Sequence, residues 1–157
     1  RPARVRREVA TGPRLLGAAD SRWGSEGADN VWFFDGVSKR EIADVIQAMD
    51  VGIIPLKKID LFLGAIPSKI FEILCLKKPL LLGIEGEAKD IFIRDGKAGL
   101  AFEPENAEAL EAQIRYLLDH RSLIAQMGGN GSAFVEQHFN RAVIASDFWG
   151  FVAEPHQ

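Results

Sequence analysis

A single cysteine, Cys75, stands in the chain. No intrachain disulfide can therefore staple it, and stability has to come from apolar burial. No Asp-x-Asp sequence occurs, and the three histidines, His120, His138 and His156, share no metal-ligand spacing, so no metal centre is expected. No glycine-rich G-x-G-x-x-G follows a strand, which argues against a dinucleotide-dependent oxidoreductase. No apolar run reaches the roughly 18 residues that span a bilayer, and no secretory leader is visible. Charge of one sign is also scarce. A net charge of -3 gives no reason to expect nucleic acid or an anionic membrane surface as a partner. Nor does any spacing support a Ser-His-Asp or Cys-His nucleophile set.

What remains is an ordinary globular composition, 47% apolar and 26% charged over 157 residues, enough for one domain with a sizeable core. Cys75 lies among apolar residues and reads as a reduced core thiol. The chain opens on arginine and reads as a fragment or a processed product. Residues 1–29 stand apart: six arginines and no lysine, against five arginines and eight lysines in the rest. They read as a leader of uncertain order or origin, with a basic, anion-holding arm as the alternative.

From Asn30 the pattern becomes regular. Val31 to Phe34 is a short aromatic strand ended by Asp35-Gly36. Ser38 and Glu41 have capping-box spacing ahead of Ile42, Val45, Ile46 and Met49 at helical period. A strand follows at Val51–Leu56, a helix from Pro67, a strand at Leu80–Ile84, and a helix over Glu87–Arg94. Leu100–Phe102 is a further strand, and Asn106 can cap a helix from Ala107 to about Leu118. A helical stretch from Ser122 to about Phe139 is expected to break at Gly128–Gly131, a cluster that follows no strand and so is no phosphate cradle. Strand and helix in alternation predict an α/β fold: a parallel, Rossmann-like sheet with helices on both faces.

The stretch VGIIPLKKIDLFLGAIPSKIFE, residues 51–72, organises this pattern. Its strand is expected to be central and buried on both faces. The loop Lys57–Ile66 exceeds the usual two to six residues or so and falls at the carboxyl end of the strand, where open α/β sheets bind ligands. Pro67 suits a first-turn position, Ser68 an N-cap, and a helix start offers free N–H groups to an anion. Glu72 is a carboxylate within an apolar run; unpaired burial would be costly, so it meets either Lys69 or a ligand. Of Glu85 and Glu87, one carboxylate suits a helix N-terminus. The segment Val143–Phe151 carries Phe148, Trp149 and Phe151, which either pack on the sheet or dock on a further domain.

Residues 30–42 (NVWFFDGVSKREI), 49–56 (MDVGIIPL), 66–82 (IPSKIFEILCLKKPLLL), 86–92 (GEAKDIF), 99–110 (GLAFEPENAEAL) and 127–139 (MGGNGSAFVEQHF) resemble the C-terminal, donor-binding domain of a family-4 glycosyltransferase of the GT-B fold. The likeness is greatest to bacterial surface-polysaccharide enzymes that transfer acetamido sugars. The resemblance implies residues 30–142 as a nucleotide-sugar donor domain and 143–157 as a helix packing on an N-terminal acceptor domain absent from this chain. It implies a UDP-sugar as donor substrate with no cofactor and no metal, and retaining transfer to a surface-glycan or lipid-linked acceptor. A cytoplasmic location is implied, with the full enzyme at the inner face of the membrane. Glu72 would accept hydrogen bonds from the ribose hydroxyls, and Pro67, Ser68 and Lys69 would face the diphosphate. Gly36 and Val37 would frame the base, and Gly64, Ala65 and Ile66 would lie near the sugar. Many members carry a second Glu eight residues before the first; Gly64 stands there in this chain, and no catalytic residue is assigned. The rival expectation is a stand-alone nucleotide-binding or regulatory α/β module, whose terminal aromatics would be buried.

Overall fold

The computed structural model describes residues 36–153. The expected leader 1–29, the strand Val31–Phe34 and His156 lie outside the described residues. The chain divides into two units, residues 1–42 and 43–157. In the first, the Ser38 N–H and hydroxyl both donate to Glu41 Oε2, at 3.1 and 2.7 Å, which pulls the Glu41 carboxyl below its ordinary range. This is the back-reaching half of the expected capping box, and the helix α1, Ile42–Ala48, follows.

In the second unit the strand Leu80–Gly83, here β2, is buried at every position. A run without a polar side chain is stable as a strand only when it is flanked on both edges and covered on both faces. β2 pairs in parallel with β1, Gly52–Pro55, with Gly52 opposite Leu80 and Ile54 opposite Leu82. On its other edge it pairs in parallel with β3, Gly99–Ala101. Helix α2, Lys69–Cys75, makes the first crossing. Helix α3, Glu87–Lys89, continued by a π-helical stretch over Asp90–Asp95, makes the second. The chain ends in α4 (Ala107–Asp119), α5 (Ser122–Phe139) and α6 (Arg141–Ala153).

Among the described residues β2, and not β1, is the central strand. The expectation that residues 51–56 are buried on both faces is therefore corrected: Gly52 and Ile54 are buried, while Ile53 on the opposite face is 46% exposed. Strand alternation explains the difference. The Gly52 face meets α2 so closely that a Cβ there would stand 2.7 Å from Ile73 Cδ1. The Ile53 face belongs with Leu81, Phe102 and Leu117, a cluster roofed by α4 and the start of α5, and that roof stops short of Ile53.

Helix α5 runs unbroken from Ser122 to Phe139, against the expected interruption at Gly128–Gly131. Gly128 and Gly131 are there for contact. A Cβ on Gly128 would collide with the Lys77 carbonyl oxygen, and one on Gly131 would stand 2.6 Å from Leu74 Cδ2 and 2.9 Å from Ala98 Cβ. The helix keeps its hydrogen bonds, and the lost propensity, about 1 kcal/mol per glycine, is offset by close packing on α2 and the loop after it. Phe71, Phe92, Phe134 and Phe139 complete this side, with ring centroids 5.2 to 6.4 Å apart, in the range where edge-to-face pairs add to burial.

Helix α2 ends where Lys77, at φ +57, donates to Leu74 O at 2.9 Å and Lys78 donates to Ile73 O at 3.2 Å. These are the two bonds of a Schellman motif. Its carbonyl at Lys77 is the surface on which Gly128 rests. Among the described residues no helix is long and apolar enough to cross a membrane.

Candidate functional site

In parallel sheets the loops that follow the strands gather at one edge, and the candidate residues must be sought there. The loop after β1 leaves Leu56, whose N–H still bonds Gly83 O at 2.9 Å. It makes one 3₁₀ turn at Asp60–Phe62 and enters α2. Three ties hold it. Lys58 Nζ donates to Glu103 Oε1 at 2.9 Å, and the Lys58 N–H donates to Glu105 Oε2 at 3.0 Å. The Glu87 N–H donates to Leu63 O at 2.8 Å. The loop thus spans the carboxyl ends of all three described strands, bound to the turn after β3 and to the start of α3.

The Lys58 tie is a surface ion pair, both partners about half exposed. Hydrogen bonds from Lys58 and then Asn106 hold the Glu103 carboxyl below its ordinary range, and the bond to Glu103 holds the Lys58 ammonium above its own. Neither partner could be found from sequence spacing, since the partners stand 45 and 47 residues apart. A cleft of about 100 Å³ lies beneath the loop, between Lys57, Lys58, Leu63, Ile84, Glu85 and Pro104. The first part of the expected loop lines it, but none of the residues given a donor role from the sequence does. A larger depression of about 580 Å³ involves Asp50, Val51, Lys77 and Lys78, residues that precede β1 and β2 and so lie at the opposite edge from the ligand-binding loops.

The predicted residues fall as follows. Gly64 is exposed, Ala65 and Ile66 are half-buried, and the Ala65 N–H closes the turn on Phe62 O at 3.1 Å. Pro67 is half-buried and its carbonyl accepts from the Ile70 N–H at 3.0 Å. Ser68 precedes α2 as expected, but its backbone is already helical (φ −58, ψ −26) and its hydroxyl makes no capping bond. In that conformation the side chain does not reach back over the first turn. Among the described residues the Ser68 and Lys69 N–H groups find no acceptor. With only seven residues in α2, what they offer an anion is local hydrogen bonding more than a macrodipole.

Glu72 is exposed. The apolar residues around it, Ile70, Ile73 and Leu74, turn inward, and the carboxylate stands on the other face one turn into the helix. The burial argument for a partner thus falls away. Among the described residues no ion pair joins Glu72 to Lys69. Cys75 shares this outer face and is exposed, which corrects its reading as a core thiol. Gly36 is exposed with open space around its Cα, and Val37 is half-buried. Both belong to the unit of residues 1–42, which is described by itself, whereas Gly64 to Glu72 belong to the second unit.

A Rossmann-like parallel sheet with helical crossings between its strands defines an α/β domain of the class from which GT-B glycosyltransferases are built. Residues 21–134 match the family described as Glycosyl transferases group 1, and the chain belongs to that family. No match was found among curated proteins. Among solved structures the chain is similar to sucrose-phosphate synthase from Thermosynechococcus elongatus, with a TM-score of 0.63 and 21% identity over 76% of this chain. At that identity the likeness is one of fold. The chain spans 29% of the length of that structure.

Proposed function

We propose that this chain is the donor-binding half of a retaining, family-4 glycosyltransferase that uses a UDP-sugar. The whole enzyme would move a hexosyl or acetamidohexosyl group to a surface-glycan or lipid-linked acceptor at the inner face of the membrane, in the cytoplasm. The family match supports glycosyl transfer. The observation that carries the donor reading is Glu72, a solvent-facing carboxylate without an ion-pair partner among the described residues, one turn beyond two unpaired amides. An ionised carboxylate accepts hydrogen bonds only and has room for two donors, which suits the paired hydroxyls of a ribose. The amides of Ser68 and Lys69 suit the diphosphate. Gly64 to Ile66 then face the sugar, and Gly36 and Val37 frame the base.

In this reading the donor is a substrate and no resident cofactor takes part. Rate acceleration would come from fixed donors that stabilise the leaving diphosphate. The acceptor site would lie on an N-terminal domain outside this chain. Helix α6 supports a second domain: Phe148 and Trp149 are 64% and 70% exposed, against the burial that a self-contained regulatory module would require. We expect no sugar transfer by the chain alone.

Protein-observed NMR titration with UDP, ADP and NAD tests the proposal. UDP is expected to shift amides in Gly64–Glu72 and NAD to leave them in place. Glu72→Ala is expected to weaken UDP by roughly tenfold or more, the size of a hydrogen bond to a charged group. Full UDP affinity in that variant would remove the ribose role.

A further inference from the structure

The tie between the first loop and α3 places a second carboxylate in the site. Gly86 has φ +84, and a Cβ there would collide with the Leu63 carbonyl oxygen. Only glycine allows that approach, which lets the next residue, Glu87, donate its N–H to the same oxygen at 2.8 Å. Anchored by its backbone, Glu87 sends its side chain over Gly64, so that a Cβ built on Gly64 would stand 4.0 Å from Glu87 Oε2. Gly64 adds no side chain of its own. The carboxylate is exposed and, among the described residues, meets no hydrogen-bond donor and no cation. Lys58, on the same loop as Gly64, is engaged by Glu103.

We infer that Glu87 is a specificity-determining residue that accepts hydrogen bonds from hydroxyl or amide N–H groups of the glycosyl moiety of the donor. The inference rests on the donor-site reading above and deepens it. Glu72 serves the nucleotide, and Glu87, held across from Gly64, serves the sugar. Being acceptor-only and charged, it selects for a glycosyl group that points donors at it and against one that points a carboxylate there.

Titration of the 157-residue chain with UDP, UDP-glucose and UDP-N-acetylglucosamine, followed by protein-observed NMR, tests it. Glu87→Ala is expected to weaken the tighter UDP-sugar by roughly tenfold and to leave UDP within about twofold. Glu87→Gln, which keeps one acceptor oxygen but not the charge, should fall between. Its amide spectrum also checks that the loop tie survives, because the Leu63–Glu87 bond uses the backbone. Equal losses for UDP and UDP-sugar, or none for either, would overturn the role of Glu87 while leaving the nucleotide site standing. A wild-type chain that binds none of the three would overturn both readings together.

Discussion

At the scale of single residues, what a side chain could be seen to do depended on how far away its partner stood. Asn106 caps α4, its Oδ1 accepting the Ala109 N–H at 2.9 Å, and the spacing of three made that legible. The Ser38–Glu41 pairing was legible for the same reason. Glu72 was singled out as a carboxylate in an apolar run, yet it stands in water on the outer face of α2, not buried among its apolar neighbours. The clasp of Lys58 on Glu103, which Asn106 also holds, carried no local signal, since 45 residues separate the pair. It has a pH signature whose sign follows from its causes. Glu103, with its folded pKa depressed, stabilises the clasp above the ordinary carboxylate pKa, and that contribution is lost as pH falls through the folded value. Lys58, raised, contributes below the ordinary lysine value and loses it as pH rises through its own folded value. The clasp is therefore closed through the neutral range and opens at the acid and alkaline extremes. Following the Glu103 carboxyl carbon by NMR from neutral to acid pH should show it titrating below the ordinary carboxylate range, and Lys58→Ala should move that transition upward.

At the scale of elements, most bounds were written in the sequence: apolar runs for β1 and β2, the cap for α4, glycine and proline punctuation between them. The exception is α5. A stretch reading GGNG looks like a helix break because each glycine costs helix propensity, yet here the helix needs contact more than propensity. Gly128 and Gly129 separate the two effects. Gly128→Ala, directed at the Lys77 carbonyl, should destabilise by about 1–3 kcal/mol through overpacking. Gly129→Ala, with nothing within 4 Å, should stabilise by up to about 1 kcal/mol. Urea denaturation of the two single variants reads both. If Gly128→Ala were as stable as Gly129→Ala, the close approach of α5 to the end of α2 would be wrong.

At the scale of the whole molecule, α6 is apolar without a sided pattern and exposes Val143, Ile144, Phe148, Trp149 and Val152 to water. Such a patch marks an interaction surface. The double variant Phe148→Glu, Trp149→Glu should lower binding of a hydrophobic dye while leaving the urea midpoint of this chain nearly unchanged, since surface substitutions shift stability by about 0.5 kcal/mol or less. In a longer protein that carries the acceptor domain, the same variant should weaken docking and cut transfer activity. An unchanged activity there would show that α6 faces no second domain.

The sequence by itself determined the α/β class, the parallel sheet with its helical crossings, the pairings at Ser38–Glu41 and Asn106, and the stretch on which ligand chemistry was to be sought, because these follow from periodicity and from partners a few residues apart. Tertiary structure alone decided that β2 is the central described strand, that Gly128 and Gly131 of α5 are contacts, that Glu72 faces solvent, and that Glu87 stands over Gly64. Each of those depends on groups far apart in the chain meeting across the sheet, and spacing along one segment carries no record of what another segment brings to it.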